Sequence, residues 1–210
     1  MWAIRFLRPI LKALDQGNAI RTAVVLALRI LGVLSVLVGL YVLIEILKLS
    51  FQLPTQGTIG GLLFAIVFIA GVASLFQIFF YRAESVRDLG ESPFTVIPIF
   101  SILFRTLGET YAASGLAVGV GGCIFVWFSG MSPVQLLPGV GGILPAPAGG
   151  TFLDGVLFLV WVCAASFTAL IVFYFLGEAI VVIADIARNV RSLARERGVT
   201  SEQASKDVAA

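Results

Sequence analysis

Between residues 22 and 186 the chain is built from long apolar runs, and thirteen of its fourteen Lys and Arg residues gather beside the same ends of those runs. An α-helix needs about 20 mostly apolar residues to cross a hydrocarbon core ~30 Å thick. Lipid offers no hydrogen bonds, so a crossing backbone must satisfy its own N–H and C=O groups, which a helix does within one segment. Hydropathy places three such segments at residues 30–51, 58–81 and 107–128, and a fourth inside the run from 152 to 183. As a helix that last run would be roughly 48 Å long, more than the core needs. The crossing part is therefore set at 155–177, with the remainder tilting or projecting.

The basic residues orient these spans. Arg5, Arg8, Lys12, Arg21 and Arg29 precede span one, Arg82, Arg87 and Arg105 lie between spans two and three, and Arg188 to Lys206 follow span four. The exception is Lys48, beside Glu45 at the opposite end of span one. Cytoplasmic connections carry the excess of Lys and Arg, so both termini are expected in the cytoplasm. The preference for Arg and the lack of a eukaryotic targeting signal point to a bacterial cytoplasmic membrane.

Composition excludes a soluble monomer, because 12% of residues are charged where a soluble domain has about one quarter. The 210 residues are used up by spans and short connections, giving a single membrane domain over 1–198 and a polar tail at 199–210 expected to be disordered. The net charge of +2 sits next to apolar spans and not on an extended polar face, so the partner it suggests is anionic lipid headgroups and not nucleic acid. Cys123 and Cys163 both lie inside apolar runs and read as small hydrophobes before a redox pair. No short apolar segment ending in a cleavage site follows the first Arg residues, so no removable signal peptide is expected.

The chain also resembles itself. Arg29, Leu31, Gly32, Gly39, Leu40 and Val42 match Arg105, Leu107, Gly108, Gly115, Leu116 and Val118 at an offset of 76. Ala83, Val86, Arg87 and Leu89 match Ala187, Val190, Arg191 and Leu193 at an offset of 104. The fold class read from this is an all-α integral membrane protein whose four transmembrane helices form two repeated helical hairpins, at about 19–89 and 95–193. Each unit crosses twice, so the repeat is parallel, with a pseudo-twofold axis along the membrane normal. The lead-ins 19–28 and 95–104 are too short to span and read as interfacial elbows or as extensions of the spans they precede, with Pro93 and Pro98 bending the second. Residues 1–21 form an amphipathic N-terminal interfacial helix, with Arg5, Arg8 and Lys12 on one face for anionic headgroups and Phe6, Leu7, Ile10, Leu11 and Leu14 on the other.

Two groups of residues are candidate sites. Gly108, Ala112, Gly115, Gly119 and Gly122 recur every three or four residues, a helix-packing face that takes either a helix of the same chain or a partner subunit. Arg29, Arg105, Glu109 and Glu178 are ionisable groups at or near membrane depth, where an unpaired charge costs ~3 kcal/mol or more. They form a candidate interhelical charge cluster, in which Arg29 or Arg105 paired with Glu178 would tie the hairpins and Arg105 and Glu109 lie one turn apart. Gln77, Tyr81 and Tyr174 can hydrogen-bond in the same region or anchor at the interface. The loop 129–150 is uncharged and rich in Pro and Gly, which favours contact with headgroups, the bundle or another protein over free solvation.

The chain has no His and no nucleotide-binding glycine loop, nucleophile-base pairing or carboxylate cluster. The sequence therefore points away from an enzyme and from any cofactor or metal. It points to a non-catalytic accessory, assembly or scaffold subunit that binds itself or other membrane subunits. The alternative is a small oligomeric channel or transporter with its polar cluster near the cytoplasmic side.

Overall fold

The computed structural model describes residues 18–89, 96–133 and 150–208. The expected N-terminal amphipathic helix lies almost wholly outside these residues, as do Pro93 and most of the 129–150 loop. Among the described residues four helices follow one another: α1 (Asn18–Ser50), α2 (Thr55–Arg87), α3 (Val96–Ser129) and α4 (Phe152–Val208). Each is long and apolar enough to cross a membrane, with mean hydropathies of 2.6, 2.5, 1.7 and 2.6 over their spanning windows. The chain is thus all-helical in its regular structure and compatible with an integral membrane protein.

The helices are longer than the apolar runs that identify them. α1 and α2 have 33 residues each and α3 has 34, about 50 Å against a ~30 Å core. The extra turns are the lead-ins, since α1 runs unbroken through 19–28 and α3 through 96–104. They are extensions of their spans, not separate elbows. Pro98 is the third residue of α3, where the backbone N–H has no partner inside the helix in any case, so the ring removes no bond. α4 continues to Val208, so the tail expected to be disordered from 199 is helical up to that residue. Its stretch beyond Arg188 is rich in Ala, Arg, Glu, Gln and Lys, all strong helix formers, and contains no Pro.

The connections close with local hydrogen bonds. After Ser50 the chain reverses over four residues, and the Thr58 hydroxyl in the first turn of α2 lies 3.0 Å from the Ser50 carbonyl and 3.1 Å from that of Leu53. This adds a second donor to the Ser50 carbonyl, which also accepts the Leu53 N–H at 3.2 Å, and ties the end of α1 to the start of α2. At the start of α4, Thr151 and Asp154 form a capping box: the Thr151 N–H donates to Asp154 Oδ2 at 3.0 Å and the Asp154 N–H to Thr151 Oγ1 at 3.3 Å. Thr151→Ala is expected to weaken this end of α4 by about 1 kcal/mol, seen as faster amide exchange over its first turn with the rest of the helix unchanged. Trp127 adds a second tie there, its indole N–H donating to the Phe152 carbonyl at 3.0 Å while the rings stack at 4.7 Å.

The helices pack as a row, α1 on α2, α2 on α3 and α3 on α4, and among the described residues no comparable contact joins α1 to α4. α3 is the most enclosed, with 39% of its spanning window buried against 17% for each of the others. Two apolar clusters hold the first three helices: Ile46, Phe64, Ala65 and Phe125 toward the α1–α2 turn, and Leu28, Ala83, Val86 and Ile99 toward the opposite end, where the Arg residues lie.

Lipid removes the hydrophobic pull between helices, so close approach at small residues supplies the packing energy. Gly39 lies against Val72 on α2, and Gly71 of α2 against Ala117 on α3. The matched glycines of the two hairpins do the same job, Gly32 and Gly39 facing α2 and Gly108 and Gly115 facing α4. Their partners do not keep the 104-residue offset. At that offset Val72 corresponds to Leu176, whereas Gly115 meets Ser166 and Val162.

Candidate functional site

Glu109 of α3 lies between two neighbouring helices, and both of them reach it. From α2, Arg82 Nε donates to Glu109 Oε2 at 2.8 Å while its Nη2 bonds Oε1, a bidentate pairing that fixes the planes of both groups. From α4, the Tyr174 hydroxyl donates to the same Oε1, and Arg82 Nη2 lies 3.2 Å from that hydroxyl. The side chains of Arg82 and Glu109 are 13% and 20% exposed, so the pair is largely withdrawn from its surroundings. The Tyr81 ring faces the Arg82 guanidinium at 5.5 Å, adding a cation–π contact. One carboxylate thus joins three helices and neutralises one cation.

A looser layer surrounds this clasp. The Arg105 guanidinium lies 5.6 Å from the centre of the Tyr174 ring. Its Nη2 is 3.9 Å from Glu178 Oε1, beyond hydrogen-bond distance, and Arg105 Nε is buried with no partner. The Glu178 side chain is 65% exposed. An ion pair this open contributes at most ~1 kcal/mol in water.

The charge cluster read from the sequence is therefore rearranged. Glu109 bonds Arg82 and not Arg105, although Arg105 is one turn away on the same helix. Arg105 and Glu178 do approach one another, but α3 and α4 are consecutive helices, so this contact does not tie the second helix pair to the first. The link between hairpins is Arg82 with Glu109. Arg29 stays apart, exposed and without an ion pair among the described residues, because α1 and α4 stand at opposite ends of the row. Arg82 escaped the sequence reading because hydropathy ends the second span at Tyr81, while the helix carries on to Arg87. Antiparallel register was the available signal, since it sets the last turns of α2 level with the first turns of α3.

The small-residue face of α3 is occupied by α4. A Cβ on Gly108 would come within 3.0 Å of Phe173 Cβ, on Gly119 within 3.2 Å of Val162, and on Gly122 within 2.5 Å of Phe158 and 3.1 Å of Pro133. Gly115 lies directly under Ser166 Oγ, which is buried and has no hydrogen-bond partner, so a Cα–H contact is what meets it. Ala112 on the same helix is half-buried. Gly155 and Gly177 answer from α4, against Trp127 and the Ser101 carbonyl. With α4 seated on it, this face is not open to a partner subunit.

Cys123 and Cys163 are both free thiols, Cys123 buried and Cys163 partly so. Among the described residues no three His, Cys, Asp or Glu side chains converge as a metal site would require. Hydroxyls elsewhere in the spans turn back on their own helices: Ser35, Ser74, Thr106, Thr110 and Ser114 each bond a carbonyl three or four residues earlier. No protein-family pattern, curated protein sequence or solved structure matches the chain.

Proposed function

We propose that the chain is a non-catalytic subunit of a bacterial cytoplasmic membrane, with both termini in the cytoplasm, which holds a membrane assembly together by binding other membrane subunits or copies of itself. The observation that carries this reading is the state of Glu109. Both of its oxygens are engaged by Arg82 and Tyr174 of the same chain, so the deepest acid of the cluster holds helices together and faces no path. The open row of helices supports it further, since among the described residues α1 packs chiefly on α2 and α4 chiefly on α3, and each presents a long apolar flank to the membrane. Because the glycine face is used internally, partners are assigned to those flanks and to the uncharged 129–150 loop.

The finer architecture belongs to the same proposal. The hairpins descend from a duplicated unit whose first helices kept their glycine register and whose second helices slid. Residues 1–21 lie on the inner leaflet, with Arg5, Arg8 and Lys12 on anionic headgroups. A second reading, an oligomeric channel or transporter, draws on the half-exposed Arg105 and Glu178, which a neighbouring copy could meet.

Native mass spectrometry on the protein extracted from its own membranes in mild detergent separates the two. The subunit reading expects a stoichiometric foreign polypeptide, or a dimer that carries no ion flux in liposomes. A homogeneous ring whose flux is lost with Arg105→Gln or Glu178→Gln would replace it with the channel.

A further inference from the structure

An apolar groove of about 590 Å³ runs along the seam between α1 and α2. Its floor is made of small residues, Gly39 and Ala73, and its walls of Leu40, Leu43, Phe68 and Phe76. The floor exists because Gly39 lets the helices close up, a Cβ there falling 2.6 Å from Val72. The volume lies in the range of about 300–1,000 Å³ typical of small-molecule clefts. Gln77 is the polar residue of the lining and marks the end nearest the Arg residues.

Beyond that end stands Arg29. It is seven residues before Val36, which also lines the groove, so it shares the same stripe of α1, about 10 Å further along the axis. Arg29 is exposed and has no ion pair or hydrogen bond among the described residues. A charge left unpaired at the edge of a span is costly unless it reaches the interface or an opposite charge. Since the four helices span a bilayer, this site faces lipid, and the molecule that is apolar over its length and anionic at one end is a phospholipid.

The geometry points to a specific lipid site: an anionic diacyl phospholipid of the leaflet on the Arg29 side, one acyl chain in the α1/α2 groove and its phosphate on the Arg29 guanidinium. The site is independent of Glu109 and of any partner on the flanks. Arg82, on the groove's other helix, is already neutralised by Glu109, and Arg29 is the cation in line with the groove-lining face of α1.

The test is native mass spectrometry of the full chain from nanodiscs of equal phosphatidylglycerol and phosphatidylcholine, counting retained lipid. Wild type is expected to favour phosphatidylglycerol about fivefold, the factor one basic residue contributes at an anionic surface. Arg29→Gln removes the preference, Arg29→Lys keeps it, and Ala73→Phe, which fills the groove, lowers retention of both lipids, all with unchanged helicity. Equal retention of the two lipids by wild type, an undiminished preference in Arg29→Gln, or loss of a dimer in Ala73→Phe would overturn the proposal, the last by assigning the groove to a second copy.

Discussion

Replacing Glu109 with Gln is expected to destabilise the protein by about 3 kcal/mol, the low end of what breaking a buried ion pair costs, because both side chains retain slight exposure. The loss comes less from the missing attraction than from Arg82, left charged between helices with no carboxylate to answer it. Arg82→Gln should cost a similar amount for the mirror reason. The double variant Arg82→Met with Glu109→Leu removes both charges and is expected to recover much of the stability, since a well-packed apolar pair is often as stable as the ion pair it replaces. Tyr174→Phe removes one hydroxyl and leaves the bidentate pair, a loss of about 1 kcal/mol. Unfolding in mixed micelles, followed by helicity, reads all four. Single variants within 0.5 kcal/mol of wild type would mean that lipid headgroups or water already solvate the pair.

Gly115→Leu has the second large effect, a loss of about 3 kcal/mol at the upper end of what overpacking costs. The new side chain would occupy the space of Ser166 Oγ, and behind it stands Val162, so α4 has to move off α3. Gly119→Ala is the contrasting case. Its Cβ meets Val162 at 3.2 Å, a methyl group that can yield by a few tenths of an ångström, and the helix gains about 1 kcal/mol from replacing Gly with Ala. That variant is expected close to neutral. Because Tyr174 lies on α4, displacing the helix also withdraws its hydroxyl from Glu109. Adding Tyr174→Phe to Gly115→Leu should then cost little more, a departure from additivity that links the glycine seam to the clasp.

Much of the fold was legible because the bilayer imposes a length on each apolar run. Four runs gave four helices; the overhang at 19–28, apolar but for Arg21 and Thr22, was legible as one of two alternatives, whereas 82–87 was hidden because it mixes Ala and Val with Arg, Glu and Ser. Glycine spacing marked the packing face of α3, since a stripe of missing side chains has few other uses in a membrane helix. What occupied that face was not legible, because the α4 sequence offers several registers of similar apolar residues. The clasp was half legible. Glu109 stood out as an acid in a span, but choosing its partner required knowing that α2 extends past Tyr81 and that Tyr174 faces α3 rather than the interface. The lack of an extensive α1–α4 contact among the described residues had no counterpart in sequence, since the spanning parts of both helices are almost wholly apolar.

Four crossings with the Arg residues on one side underlie the proposed role, and single-cysteine accessibility measures them. In a chain with Cys123 and Cys163 replaced by Ala, Cys would be placed in turn at the exposed positions Gln56, Asp88, Met131 and Ser192 and labelled with a membrane-impermeant maleimide, on intact cells and on inverted vesicles. Positions 56 and 131 are expected to react only from outside and 88 and 192 only from the cytoplasmic side. Labelling of 88 from outside, or of 131 and 192 from the same side, would contradict that arrangement.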